Sequence, residues 1–154
     1  MPTIVDAADM TARLGLPLIH PGQAQKEVAH NEALALFEIA IATHVEGVAN
    51  DPSALTPDAG QCWIVGPSPL GEWAGFAGHV MGWTAGGWRA AAPMTGMRVY
   101  SSEIGASLFF DGTGWTGTSL PDAPAGGAVV DTEARACLAD LISSLQSMGL
   151  LSPA

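Results

Sequence analysis

The side chains here that could do chemistry are four histidines, two cysteines and fifteen acids, and their spacing decides which reactions they allow. A protein metal site needs His, Cys, Asp or Glu at short recurring intervals. His20, His30, His44 and His79 are scattered, and no two of them combine with Asp, Glu or Cys at ligand spacing. Asp111-Gly112-Thr113-Gly114 begins like a calcium loop but lacks the acids that should follow, so it reads as a hairpin turn. There is no phosphate-binding Gly loop, dinucleotide fingerprint, GxSxG or HExxH. Glycoside hydrolysis needs one matched carboxylate pair, and none stands out. Cys62 and Cys137 read as buried reduced thiols packing as small hydrophobes. The expectation is a non-enzyme with no catalytic residue, no metal and no cofactor.

That leaves the tryptophans. Trp63, Trp73, Trp83, Trp88 and Trp115 all fall in one Gly-rich region. Indole rings bury large area, so the plain reading is a small core with capped hairpins. The sharper reading is a stacking platform for sugar rings or a partner protein. Trp73, in the loop GEWAG, is the ring expected to be most exposed, and Trp73 and Trp115 are the candidate glycan or partner contacts.

The elements that would carry these residues follow from periodicity. Residues 1–21, with Pro2, Pro17 and Pro21, read as an extended arm whose run Leu14–Ile19 packs on something else. Residues 22–50 read as an oligomerisation helix, running from about Gln23 to Val45. On it His30, Leu34, Phe37, Ile41, His44 and Val48 step alternately by four and three, a heptad seam. Val28, Asn31, Ala35, Ala42 and Val45 form a second line beside it. A helix apolar on two faces must be covered from two sides, as in a trimer or beneath a sheet. Buried Asn or His in such a seam can fix register and subunit number.

From residue 57 to 117 the period shortens toward two and Gly-containing turns alternate with apolar runs, as in a small antiparallel sheet of hairpins. Val80–Trp88 and Leu108–Trp115 rhyme: apolar strand, Gly turn, Trp. The rhyme implies two similar hairpins in one sheet. Residues 118–130 are a linker, and 131–151 a heptad helix capped by Asp131 or Thr132 and closed by Gly149. Ala134, Leu138, Leu141, Leu145 and Met148 form its stripe, widened by Cys137 and Ile142. The fold class is α+β: N-terminal helix, Trp/Gly-rich sheet, C-terminal helix, assembled as a trimer. Asn31, Leu34, Phe37, Ile41, Leu138, Leu141, Leu145 and Met148 are the expected subunit contacts.

Charge narrows the partners. A net charge of −10 opposes binding to a phosphate backbone. It equally disfavours anionic membrane surfaces. No run reaches the roughly 18 apolar residues of a membrane span, and the N-terminus lacks the pattern of a secretory signal. The expectation is synthesis in the cytosol without export by an obvious route, with no nucleic-acid partner and no membrane insertion.

The spelling Leu16-Pro17-Leu18, Gly22-Gln23-Ala24-Gln25-Lys26-Glu27-Val28 and His30-Asn31-Glu32-Ala33-Leu34 resembles the hallmark of an uncharacterised domain family. The likeness continues through Gly60–Val65, Gly71–Gly75, Trp83, Gly87-Trp88-Arg89, Pro93 and Asp111–Trp115. Glu38 and Met97 depart from the family pattern, where Asp and an aromatic are more usual. That family occurs in tail-fibre and other virion-associated proteins of phages, prophages and gene transfer agents, mainly of alphaproteobacteria. The resemblance implies a virion structural protein, a short fibre, fibre-base or head-decoration subunit, that trimerises and attaches to other virion proteins. It supplies no catalytic residue. The C-terminal helix is similar to terminal helices of phage fibres and spikes associated with trimer formation. An alternative is a module of a phage fibre that binds carbohydrate on the host surface.

Overall fold

A computed structural model describes residues 26–41, 44–84, 86–128 and 130–152. The arm 1–21 and its run Leu14–Ile19, like Gln23–Gln25, Ala42 and Pro153, lie outside the described residues. The α+β class holds: the described residues form two α-helices and eight strands in two four-stranded mixed sheets.

Helix α1 spans Lys26–Ile41. Ala, Leu and Glu dominate it, and all three are strong helix formers. It does not run to Val45, as the heptad reading expected. His44–Val45 is strand β1 and Val48–Ala49 is strand β2. The segment offers two β-branched valines around Gly47, a poor helix interior. Its backbone finds better partners elsewhere. β1 pairs in parallel with β6 (Arg98–Ser101), and β2 pairs in parallel with β3 (Cys62–Val65). His44 and Val48 therefore leave the expected helical seam.

The remaining strands are β4 (Val80–Thr84), β5 (Gly87–Ala91), β7 (Ala106–Phe110) and β8 (Trp115–Gly117). One sheet has the order β2-β3-β4-β5, the other β1-β6-β7-β8. The two hairpins thus belong to two sheets, not to the single sheet expected. The chain divides accordingly into two compact units: α1 with residues 48–93, and residues 44–47 with everything from Met94 onward.

The units repeat one design. Cys62 pairs with Gly82 and Trp63 with Met81 in the first; Arg98 pairs with Phe109 and Val99 with Leu108 in the second. Gly60 N donates to Trp83 O at 2.8 Å, as Gly96 N does to Phe110 O at 2.8 Å. Trp83 N reaches Gln61 O, as Phe110 N reaches Met97 O. Gly66 N reaches Ala49 O across the parallel edge, as Ser102 N reaches Val45 O. Trp83 faces Trp88 across one hairpin, and Phe110 faces Trp115 across the other. Gly60 and Gly96 enter their strands at φ of 94° and 87°, a conformation open mainly to glycine. The copies differ in the link after the first antiparallel strand. It is short in the second unit, residues 102–105, and long in the first, 66–79, where it carries the 3-10 turn Gly71–Trp73.

Helix α2, Thr132–Ser147, belongs to the second unit. Asp131 caps it as expected, its side chain accepting from Ala134 N at 2.8 Å. Gly149 follows at φ 66° and Leu150 N closes back on Leu145 O, the termination read from the sequence.

Candidate functional site

Helix α1 lies on its sheet through one line of contact. Ile39 is its only buried residue, and it sits over Gly82 of β4. A Cβ at position 82 would come within 2.5 Å of Ile39 Cγ1, so the glycine is what lets the helix approach the strand. Next to this contact Glu32 Oε2 accepts from Arg89 Nε at 2.7 Å. Arg89 Nη1 also donates to Gly86 O and Trp88 O, which fixes the guanidinium. The pair is about one-third exposed on each side, so it orients the helix more than it stabilises it.

On the opposite face Leu34, Phe37 and Ile41 are 53%, 47% and 60% exposed, and Val28, three turns before Ile39, is 59% exposed. Between this face and the sheet rim runs an open groove of about 740 Å³, lined by Asn31, Leu34, Phe37, Ile41, Gly60 and Trp83. The four α1 residues expected at a subunit contact therefore share one apolar surface. Of the expected second line, Val28 is exposed, whereas Ala35 is half-buried and lines the groove.

In the second unit α2 has no buried residue at all. Leu138, Leu141 and Met148 are exposed, and Leu145 and Ile142 are half-buried. The helix is tied down at its C-terminal end, where Ser107 N donates to Gly149 O at 2.6 Å and Thr118 Oγ1 donates to Leu150 O. Cys137 is exposed, not buried as expected; Cys62 is buried beneath Gly82, its Sγ donating to Gly60 O at 3.6 Å.

The tryptophans sort differently from expectation. Trp73 is fully buried, not exposed. Its 3-10 turn is held by Trp73 N to Leu70 O and Leu70 N to Asn50 O, and it tucks the ring against Val65, Met81 and Trp88. Trp88 is the hub: its centroid lies 5.7 Å from Trp63, 4.9 Å from Trp73 and 5.0 Å from Trp83, all edge-on. Trp115 is half-buried against Phe110 at 5.4 Å in the second unit. The two rings named as glycan contacts lie in different units.

The titratable groups are engaged locally. Asp111 Oδ1 accepts from Thr113 N, Thr113 Oγ1 and Gly114 N at 2.7, 2.7 and 2.9 Å. These bonds, led by Gly114 N, hold its carboxyl below the usual Asp range. The turn spends this carboxylate on its own backbone, in agreement with the hairpin reading. Asp51 is likewise lowered by Ser53 N, which it accepts at 2.8 Å. His44 Nε2 lies 2.6 Å from Ser102 Oγ. Among the described residues no group of three His, Cys, Asp or Glu could hold a metal ion.

Residues 30–116 match the model of a family described as protein of unknown function, DUF2793. The chain belongs to this family. The DUF2793 region begins inside α1 and ends in β8, so it takes in both sheets, the tryptophan cluster and the groove, while α2 lies beyond it. No curated protein matches the chain. Among the described residues no helix is long and apolar enough to cross a membrane.

Proposed function

We propose that this protein is a non-enzymatic structural subunit of a bacteriophage virion, one that trimerises through α1 and α2 and attaches to other virion proteins. The observation that carries the reading is the apolar surface left open on both helices: Leu34, Phe37 and Ile41 on α1, Leu138, Leu141 and Met148 on α2. Contiguous apolar surface of this kind marks association sites. The exposed residues step by three and four on α1 and by three and seven on α2, spacings that suit packing against another helix. The virion setting rests on the likeness of residues 14–34 and of the Gly/Trp pattern to phage fibre proteins.

The test is the mass in solution by light scattering or sedimentation. The expected value is three times 15.7 kDa. A stable monomer with the helices folded would overturn the assembly. Placement in the particle is tested by locating the chain in purified virions of the parent phage.

A further inference from the structure

The first unit holds a second concavity, which shares Trp83 with the α1 groove. It encloses about 400 Å³, within the range of small-ligand pockets. Trp83 and Trp88 form one wall, their rings 5.0 Å apart and set edge to face at 65°. Pro52 and Pro57 line it, and Asp51 and Glu72 bring carboxylates to it. Among the described lining residues there is no Lys, Arg or His. Neither acid forms an ion pair with another described residue.

The pocket is built from parts that the second unit lacks. Glu72 comes from the long link 66–79, and Asp51 and the two prolines from the segment joining β2 to β3. The shared framework supplies only the Trp83–Trp88 pair, whose counterpart is Phe110–Trp115. The two copies of one design diverge where this concavity forms.

We infer that the pocket binds a quaternary ammonium group. Indole faces attract a cation through the ring quadrupole, and the attraction grows as the cation sheds water. A primary ammonium is compact and strongly hydrated, and would lose that water against proline and indole. An alkylated ammonium carries the same charge with an apolar shell, which suits those walls. The carboxylates of Asp51 and Glu72 add long-range attraction. A neutral sugar would find a donor in the Ser53 hydroxyl, but it would leave the charges of Asp51 and Glu72 unanswered. This inference stands independently of the assembly proposed above.

The experiment titrates the full chain with tetramethylammonium and choline at constant ionic strength, made up with sodium chloride. Binding is followed by tryptophan fluorescence and by ligand-observed NMR. Saturable binding of both cations is expected, with ammonium and methyl glucoside at least tenfold weaker. Glu72→Gln, at an exposed position, should weaken choline about three- to tenfold without change in far-UV circular dichroism. Trp83→Phe should weaken it further. No saturable response beyond the salt control, equal binding of methyl glucoside, or an unchanged affinity in Glu72→Gln would each overturn the inference. Phosphatidylcholine vesicles in a parallel arm show whether a lipid headgroup can present the cation, through binding that free choline competes away.

Discussion

Gly82 and Ile39 show how far one hydrogen atom decides the position of a helix. The strand accepts α1 only because no side chain rises from position 82. Gly82→Ala would force the Ile39 side chain or the helix outward, at a cost of about 1–3 kcal/mol. We expect chemical denaturation to show that loss, and Ile39→Ala in the same background to recover part of it. Asp111 and Asp51 act at the same scale. Both carboxyls are held below the ordinary Asp value by backbone N–H groups, Gly114 first for Asp111 and Ser53 first for Asp51. A depressed folded-state value means the stabilisation is complete above the unfolded value, about 3.9, and is lost as the pH falls through the folded one. An NMR titration should place both below the usual range. Asp111→Asn should reduce the steepness of acid unfolding below about pH 4; an unchanged slope would show that the turn does not depend on the charge.

The two sheets show what duplication keeps and what it changes. Both keep the Gly entry, the strand register, the parallel edge and an aromatic pair across the hairpin. Their aromatic pairs carry different weight. Trp88 touches three other indoles, whereas Trp115 meets Phe110 in a smaller cluster. Removing the hub should cost more than removing its counterpart. Trp88→Ala should lower unfolding free energy by about 2–4 kcal/mol and Trp115→Ala by about 1 kcal/mol in urea. Equal effects would mean that the tetrad is not the main support of the first unit. The hairpins themselves were legible in the sequence, since turn residues and alternating side chains are local. The β1–β2 segment was not. Its partners lie at Tyr100–Ser101 and Ile64–Val65, and nothing within one turn of helix distinguishes His44–Ala49 from an extension of α1 except Gly47 and the valines.

At the scale of the molecule, the helices carry large apolar side chains on faces with no cover. Two substitutions on α1, Leu34→Asp and Phe37→Asp, fall on exposed positions, so the fold should survive them. We expect the pair to shift the mass measured by light scattering toward 15.7 kDa while circular dichroism stays unchanged. A monomer before substitution would overturn the assembly, and an undisturbed oligomer after it would move the contact off this face of α1. The charge of −10 adds a check: association through apolar faces should tighten with salt as like charges are screened.

Much of this protein is written in local sequence. The Asp111 turn, the Asp131 cap, the Gly149 termination and the strands from Cys62 to Gly117 depend on a few adjacent residues each, and a single reading of the chain finds them. The heptad positions on both helices are equally local, but which of them stay exposed is decided by what the rest of the chain covers. Tertiary structure alone decided the rest. It ended α1 at Ile41, separated the rhyming hairpins into two sheets, buried Trp73 under its own loop and left Cys137 in the open. Each of those outcomes depends on contacts between residues far apart in the chain. Burial and sheet membership belong to pairs of segments, and no single segment carries that information.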